Sequence, residues 1–166
     1  MLQSLKGLHA ALFILALLVY PRTSAAQLAK WFELGLPAVG PNETSIALLL
    51  LGVRVGSLKP LVPGIDCSVL TLPVALTQGV LVLGAGLDGA FPIRFGGATL
   101  VPRVGGSALI YGPAEERGAE VITGYNAGVG LVARTSAMTT VRLDITHHWF
   151  ADKLGFTIVT LGFQMR

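Results

Sequence analysis

Asp144, His147 and His148 are the residues whose types first suggest chemistry. A carboxylate beside two imidazoles supplies parts of a hydrolytic triad or of a metal site. Their spacing argues against both. Residues 141–149 (VRLDITHHW) alternate apolar with polar, as a half-buried strand does. Adjacent histidines in a strand point to opposite faces, so His147 and His148 cannot bind one ion without a bulge. Asp144 and His148 share a face, but four residues of strand separate them by about 13 Å. Ser107 and Ser136 are candidate nucleophiles, yet nothing in the sequence brings either beside a histidine. No catalytic, cofactor-binding or metal-binding residue is assigned, and no cofactor is expected.

Gly84-Ala85-Gly86-Leu87-Asp88-Gly89 has the spacing G-x-G-x-x-G. A dinucleotide site needs a helix after those glycines and an acidic residue about 20 positions on. Here Ala90-Phe91-Pro92-Ile93 follows, and the later position holds Leu109, Ile110 and Tyr111. The match is therefore fortuitous. Asn42-Glu43-Thr44 fits a glycosylation acceptor, a three-residue match that carries no argument by itself. The single cysteine, Cys67, excludes an internal disulfide and is read as a small apolar residue. Basic residues are scattered and form no stripe for nucleic acid.

The elements that carry these residues are strands. Charged residues are only 13% of the chain, the apolar fraction is 52% and mean hydropathy is +0.70. A soluble domain carries about a quarter charged residues. The 21 glycines and 9 prolines, spread throughout, disfavour a helical bundle. Cys67 to Leu87 is uncharged over 21 residues, long enough for a membrane helix. Pro73, the glycines and six β-branched residues argue instead for two strands joined at Thr77-Gln78-Gly79. Alternation places strands over 30–36, 44–56, 65–76, 80–91, 97–111, 121–134, 141–149 and 156–166. Loops are expected at 37–43, 57–64, 112–120 and 151–155. Leucines 48–51 break the alternation, so one of them must turn inward or meet a neighbour.

The faces of these strands differ in an informative way. Val141, Leu143 and Ile145 share one face, as do Val159, Leu161 and Phe163. The other face carries glycines and isolated charges. A water-facing surface would hold charge at roughly a quarter to a third of its positions. A narrow lumen explains both traits, since glycine relieves crowding and sparse charges of both signs can pair. We expect Glu33, Arg54, Arg103, Arg142 and Asp144 to form a polar network in the lumen. The apolar face, with Val141, Leu143, Ile145, Val159, Leu161 and Phe163, is expected to meet lipid. Trp31, Phe32, Trp149 and Phe150 stand at strand ends and are expected at the membrane interfaces, where aromatic girdles form.

Residues 1–26 read as a secretory signal. Lys6 gives a positive start, Ala10 to Tyr20 an apolar stretch, and Thr23-Ser24-Ala25-Ala26 a small-residue cleavage site. The apolar stretch is about half the roughly 20 residues a spanning helix needs. Loss of Lys6 and Arg22 leaves ten basic and nine acidic residues, a nearly neutral exported chain. The expected division is a signal peptide over 1–26 and one barrel domain over 27–166.

Three stretches carry a family likeness: Gly124-Tyr125-Asn126-Ala127-Gly128-Val129-Gly130, Val141-Arg142-Leu143-Asp144 and Leu161-Gly162-Phe163. Through them the chain resembles the small bacterial outer-membrane β-barrels of the OmpA/OmpX-like family. The resemblance implies an all-β fold, an eight-stranded antiparallel up-and-down transmembrane barrel in the outer membrane. It also implies two partners, outer-membrane lipid and the barrel-assembly machinery, the latter reading a C-terminal aromatic. This chain departs there, ending Phe163-Gln164-Met165-Arg166. The function expected is structural or adhesive, or limited small-solute passage, without catalysis. Two alternatives remain open from the residues. One is an exported soluble barrel of lipocalin type, which would turn the Leu143 face inward around an apolar ligand. The other is a lipid-modifying outer-membrane enzyme, which would set a histidine beside a serine near the outer leaflet.

Overall fold

The computed structural model describes residues 28–38, 49–73, 75, 80–113, 119–136, 139–150 and 155–165. The proposed signal peptide, its cleavage site, and the Thr77-Gln78-Gly79 turn lie outside these residues, as do strand positions 44–48. Nine strand segments follow in order: β1 (Leu28–Ala38), β2 (Leu50–Ser57), β3 (Gly64–Thr71), β4 (Val80–Ala90), β5 (Ile93–Phe95), β6 (Ala98–Pro113), β7 (Glu120–Arg134), β8 (Thr139–Phe150) and β9 (Gly155–Met165).

β4 and β5 are two pieces of one stave. Ala90 faces Arg103 and Ile93 faces Leu100, so the register on β6 runs unbroken across Phe91 and Pro92. Phe91 N–H still donates to Pro102 O at 3.0 Å. The ladder is interrupted there because proline has no N–H to give it. The strand expected over 80–91 therefore continues past Phe91, and Pro92 only removes one rung. Eight staves therefore close into a barrel, with every pairing antiparallel and β1 hydrogen-bonded to both β2 and β9. Closure leaves no open sheet edge.

The chain turns at 58–63, at Gly96-Gly97 and beyond Arg134, where the N–H groups of Thr135 and Ser136 donate to Thr139 O, on the end that holds the strand termini Leu28 and Met165. The last residues of β1, β3, β6 and β8 and the first of β2, β4, β7 and β9 lie at the other end, called here the loop end. Gly96 takes φ +56° at the first central position of a two-residue hairpin, a left-handed conformation that suits glycine. Pro73 and the missing N–H end β3 near Thr71 rather than at 76, although Leu72 N–H still reaches Val82 O at 3.3 Å. No helix among the described residues is long and apolar enough to cross a membrane.

Alternation is kept through most of the barrel. On β8, Arg142, Asp144 and Thr146 are buried while Leu143 and Ile145 are exposed at 44% and 48%. Leu161 on β9 is exposed at 38%, and Val141, Val159 and Phe163 share that outer face, half-buried by neighbours. Leu49 and Leu51 point out and Leu50 turns in, while Leu48 of that run lies outside the described residues. The soluble-barrel alternative needs the Leu143 face inside, and it is outside.

The aromatic expectation needs correction at two positions. Phe32 (72% exposed) and Trp149 do face outward, but Trp31 (1% exposed) and Phe150 are buried inside the barrel. Neighbours in a strand must point to opposite sides, so only one member of Trp31-Phe32 and of Trp149-Phe150 can reach an interface.

Candidate functional site: the barrel lumen

The inward side chains form three layers. At the turn end an apolar layer joins Ala29, Trp31, Ala90, Val101 and Val132, with Leu58 packed against it. At the loop end His148, Phe150 and Phe156 stack, with ring centroids 5.5 Å apart between Phe156 and each of the other two. Between these layers lies a chain of charges.

That chain alternates in sign over seven residues: Glu33, Arg54, Asp66, Arg142, Asp144, Arg103 and Asp88. Arg54 Nε donates to Glu33 and its Nη1 to Asp66 Oδ1 at 3.3 Å. Arg142 Nη2 donates to Asp66 Oδ2 at 2.6 Å, which ties β8 to β3 across the bore. Arg142 also grips Asp144, from Nε at 2.7 Å and from Nη2 at 3.0 Å. Arg103 donates to Asp144 and to Thr146 Oγ1. Its Nε lies 3.3 Å from Asp88 Oδ2. All seven side chains are buried. The Trp31 ring lies 6.0 Å from the Arg142 guanidinium carbon, close enough for cation–π attraction.

The sequence sets this up strand by strand. Each of β1, β2, β3, β4 and β6 places one such charge among apolar, small or glycine neighbours, and β8 places two, spaced i, i+2, on one face. Glycines opposite make the room. A side-chain carbon on Gly130 would collide with Asp144 Oδ1, and one on Gly105 would collide with Leu87 O. Buried charges left single would cost several kcal/mol each, roughly, so the alternation is what makes the layer tolerable.

Glu33, Arg54, Arg103, Arg142 and Asp144, singled out from sequence, all lie in this layer. Asp66 and Asp88 were not singled out, although each interrupts an otherwise uncharged strand just as Arg54 does. On the outer face His147 Nδ1 lies 2.8 Å from Thr157 Oγ1 and its ring lies 4.4 Å from Trp149. No carboxylate holds the other ring nitrogen among the described residues, so no triad forms. Ser107 lies inside the barrel, and Ser136 lies in an exposed turn at the end of the barrel opposite His147 and His148. Gly84 to Gly89 run along β4 with no helix after them. Among the described residues, no three or more of His, Cys, Asp and Glu gather as a metal site.

No family model matches the chain, and no curated protein matches its sequence. Solved structures do match its shape. The N-terminal β-barrel domain of Pseudomonas aeruginosa OprF aligns with a TM-score of 0.62 at 13% identity, over 83% of this chain and 95% of that one. Ail, the attachment invasion locus protein of Yersinia pestis, aligns with a TM-score of 0.56 at 9% identity, over 83% and 95%. Neisserial surface protein A aligns at 0.53 and 7% identity, over 83% and 94%. The chain has the fold of the small outer-membrane β-barrels. At such identities the likeness speaks for the fold alone. As a barrel of this kind it carries its apolar residues outside and its charges within, the reverse of a soluble barrel.

Proposed function

We propose that this protein is an outer-membrane barrel with a structural or adhesive role at the bacterial surface, neither an enzyme nor a conduit. The observation that carries the reading is the seven-residue charge chain crossing the bore above an apolar layer. A solute crossing the lumen would have to part hydrogen-bonded guanidinium–carboxylate pairs and then pass Trp31. Small-solute passage, the other role expected from sequence, is disfavoured on this ground. The outer wall, with Leu143, Ile145 and Leu161 exposed and Val141, Val159 and Phe163 beside them, supports contact with outer-membrane lipid. Delivery there calls on the signal segment 1–26 and the barrel-assembly machinery. Surface contacts then fall to the loop end, where β6 and β7 extend four residues past the last β8 pairing at Gly124 and are tied by a Tyr111–Glu120 hydrogen bond.

Refolded protein in planar bilayers tests the claim. The expected result is no steady ion current. A stable conductance in every insertion would contradict it. Incubation with lipopolysaccharide and phospholipid, read by mass spectrometry, should leave both unaltered; a cleaved acyl chain would restore the enzyme reading and point to His147 and Thr157.

A further inference from the structure

The two ends of the barrel differ in charge. Among the described residues, the charged side chains outside the lumen chain are Lys30, Lys59, Arg94, Glu120 and Arg134. The four cations stand at the turn end, and the carboxylate stands at the loop end. The lumen carboxylates nearest the turns, Asp66 and Asp88, are buried and engaged by arginines. The turn end therefore presents positive charge with no exposed acidic residue among the described residues.

Lys59 and Arg94 stand on a stretch of rim that is also apolar. In the turn at 58–63, Leu61 is 69% exposed and takes φ +59°. That conformation is uncommon for leucine, and neighbours that hold a residue in it point to a use. The Leu61 N–H donates to Pro92 O at 2.8 Å, and the Val62 N–H reaches Lys59 O at 3.4 Å. These bonds tie the Lys59 turn to the junction of β4 and β5, two residues from Arg94. Leu58 packs inward against the apolar layer, whereas Leu61 and Val62 are exposed. Phe95, at the neighbouring hairpin tip, is more exposed still, and Phe91 and Ile93 share its outer face. The apolar wall thus runs on to the tip. The third turn differs, since its Thr135 and Ser136 are polar and exposed.

An apolar tip beside cations fits the edge of a lipid leaflet. Leucine and phenylalanine enter the acyl region, while lysine and arginine extend their charged ends to the headgroups. A second copy of the chain would set cation against cation on this rim. A headgroup of net negative charge complements it. We propose that the rim formed by the 58–63 turn and the β5–β6 hairpin binds an anionic phospholipid of the phosphatidylglycerol type. Lys59 and Arg94 meet its phosphate, and Leu61, Val62 and Phe95 meet its acyl chains. The lipid belongs to the leaflet at the turn end, and the proposal rests on the membrane reading of the outer wall.

Fluorescence quenching by brominated phosphatidylglycerol or phosphatidylcholine in mixed vesicles tests this. The reporter is a bimane label at Ile65→Cys in a Cys67→Ser background, because Ile65 is exposed on the outer face beside the turn. Phosphatidylglycerol should associate about fivefold more strongly than phosphatidylcholine at low salt, and about 1 M salt should remove most of that preference. Lys59→Gln and Arg94→Gln together alter exposed side chains only. They should keep the fold, abolish the preference and leave quenching by phosphatidylcholine unchanged. A label at Tyr125→Cys, near the loop end, should show no preference. Equal association of the two lipids at Ile65→Cys would overturn the proposal while the membrane reading stands. So would a preference that survives in the folded double variant, or one of the same size at Tyr125→Cys. Absence of quenching by either lipid would overturn the membrane reading as well.

Discussion

Arg142 is the residue on which the interior depends most. Its guanidinium binds Asp66 across the bore and Asp144 on its own strand, and no part of its surface is exposed. Arg142→Ala should take one of two guanidinium partners from each of Asp66 and Asp144 and destabilise the barrel by about 3–5 kcal/mol, read by urea unfolding in detergent. A loss below about 1 kcal/mol would mean that water already reaches the pair, as at an exposed bridge. Five of the seven charges were legible in sequence because a single ionised group in a strand of glycine and aliphatic residues has few reasons to be there. Asp88 was hidden by its neighbours. Within Gly84-Ala85-Gly86-Leu87-Asp88-Gly89 the glycines carry no side chain, so the two faces cannot be told apart. Asp66 lies three residues past the turn at 58–63, where a charge reads as solvated. Trp31 was misplaced for a third reason: a tryptophan at a strand end suits an interface or an interior equally.

At the scale of the strand, glycine and alternation decide what is tolerated. Gly105 and Gly106 are neighbours on β6 with opposite surroundings. A side chain on Gly105 would strike Leu87 O and Asp88, whereas one on Gly106 would meet nothing nearer than Gly124 O at 3.9 Å. Gly105→Ala should therefore destabilise by about 1–3 kcal/mol, and Gly106→Ala by no more than about 0.5 kcal/mol. Comparison of their urea midpoints checks this. On the outer face, Leu143→Arg should cost about 2–4 kcal/mol of folding stability in a bilayer, less in a thinner one where the residue lies nearer the headgroups. Equal stability of Leu143→Arg and the parent protein in both bilayers would mean that the outer face does not meet hydrocarbon. Strand positions were readable because their period of two survives even in a glycine-rich chain. Boundaries were less so. Pro92 has the local signature of a strand end, yet tertiary register carries β4 through it into β5.

For the whole molecule, the fold follows from one inversion, with aliphatic side chains outside and an unbroken line of charges inside. Sequence showed two chemically distinct faces, and low charge density indicated which of them faces away from water. It could not show that the charges join into a single chain, because the Asp66–Arg142 contact spans 76 residues and depends on barrel closure. Membranes washed with carbonate should retain the protein, since strands paired around a full circle offer no exposed edge and no detachable face. Release into the wash would argue for a peripheral or soluble form.

The direct measurement is collision accessibility of nitroxide labels at Leu143→Cys and Leu161→Cys in a Cys67→Ser background, reconstituted in lipid. An outer wall in hydrocarbon predicts frequent collision with oxygen and little with a water-soluble nickel chelate at both sites. Strong nickel collision at both positions in the folded protein would contradict the account.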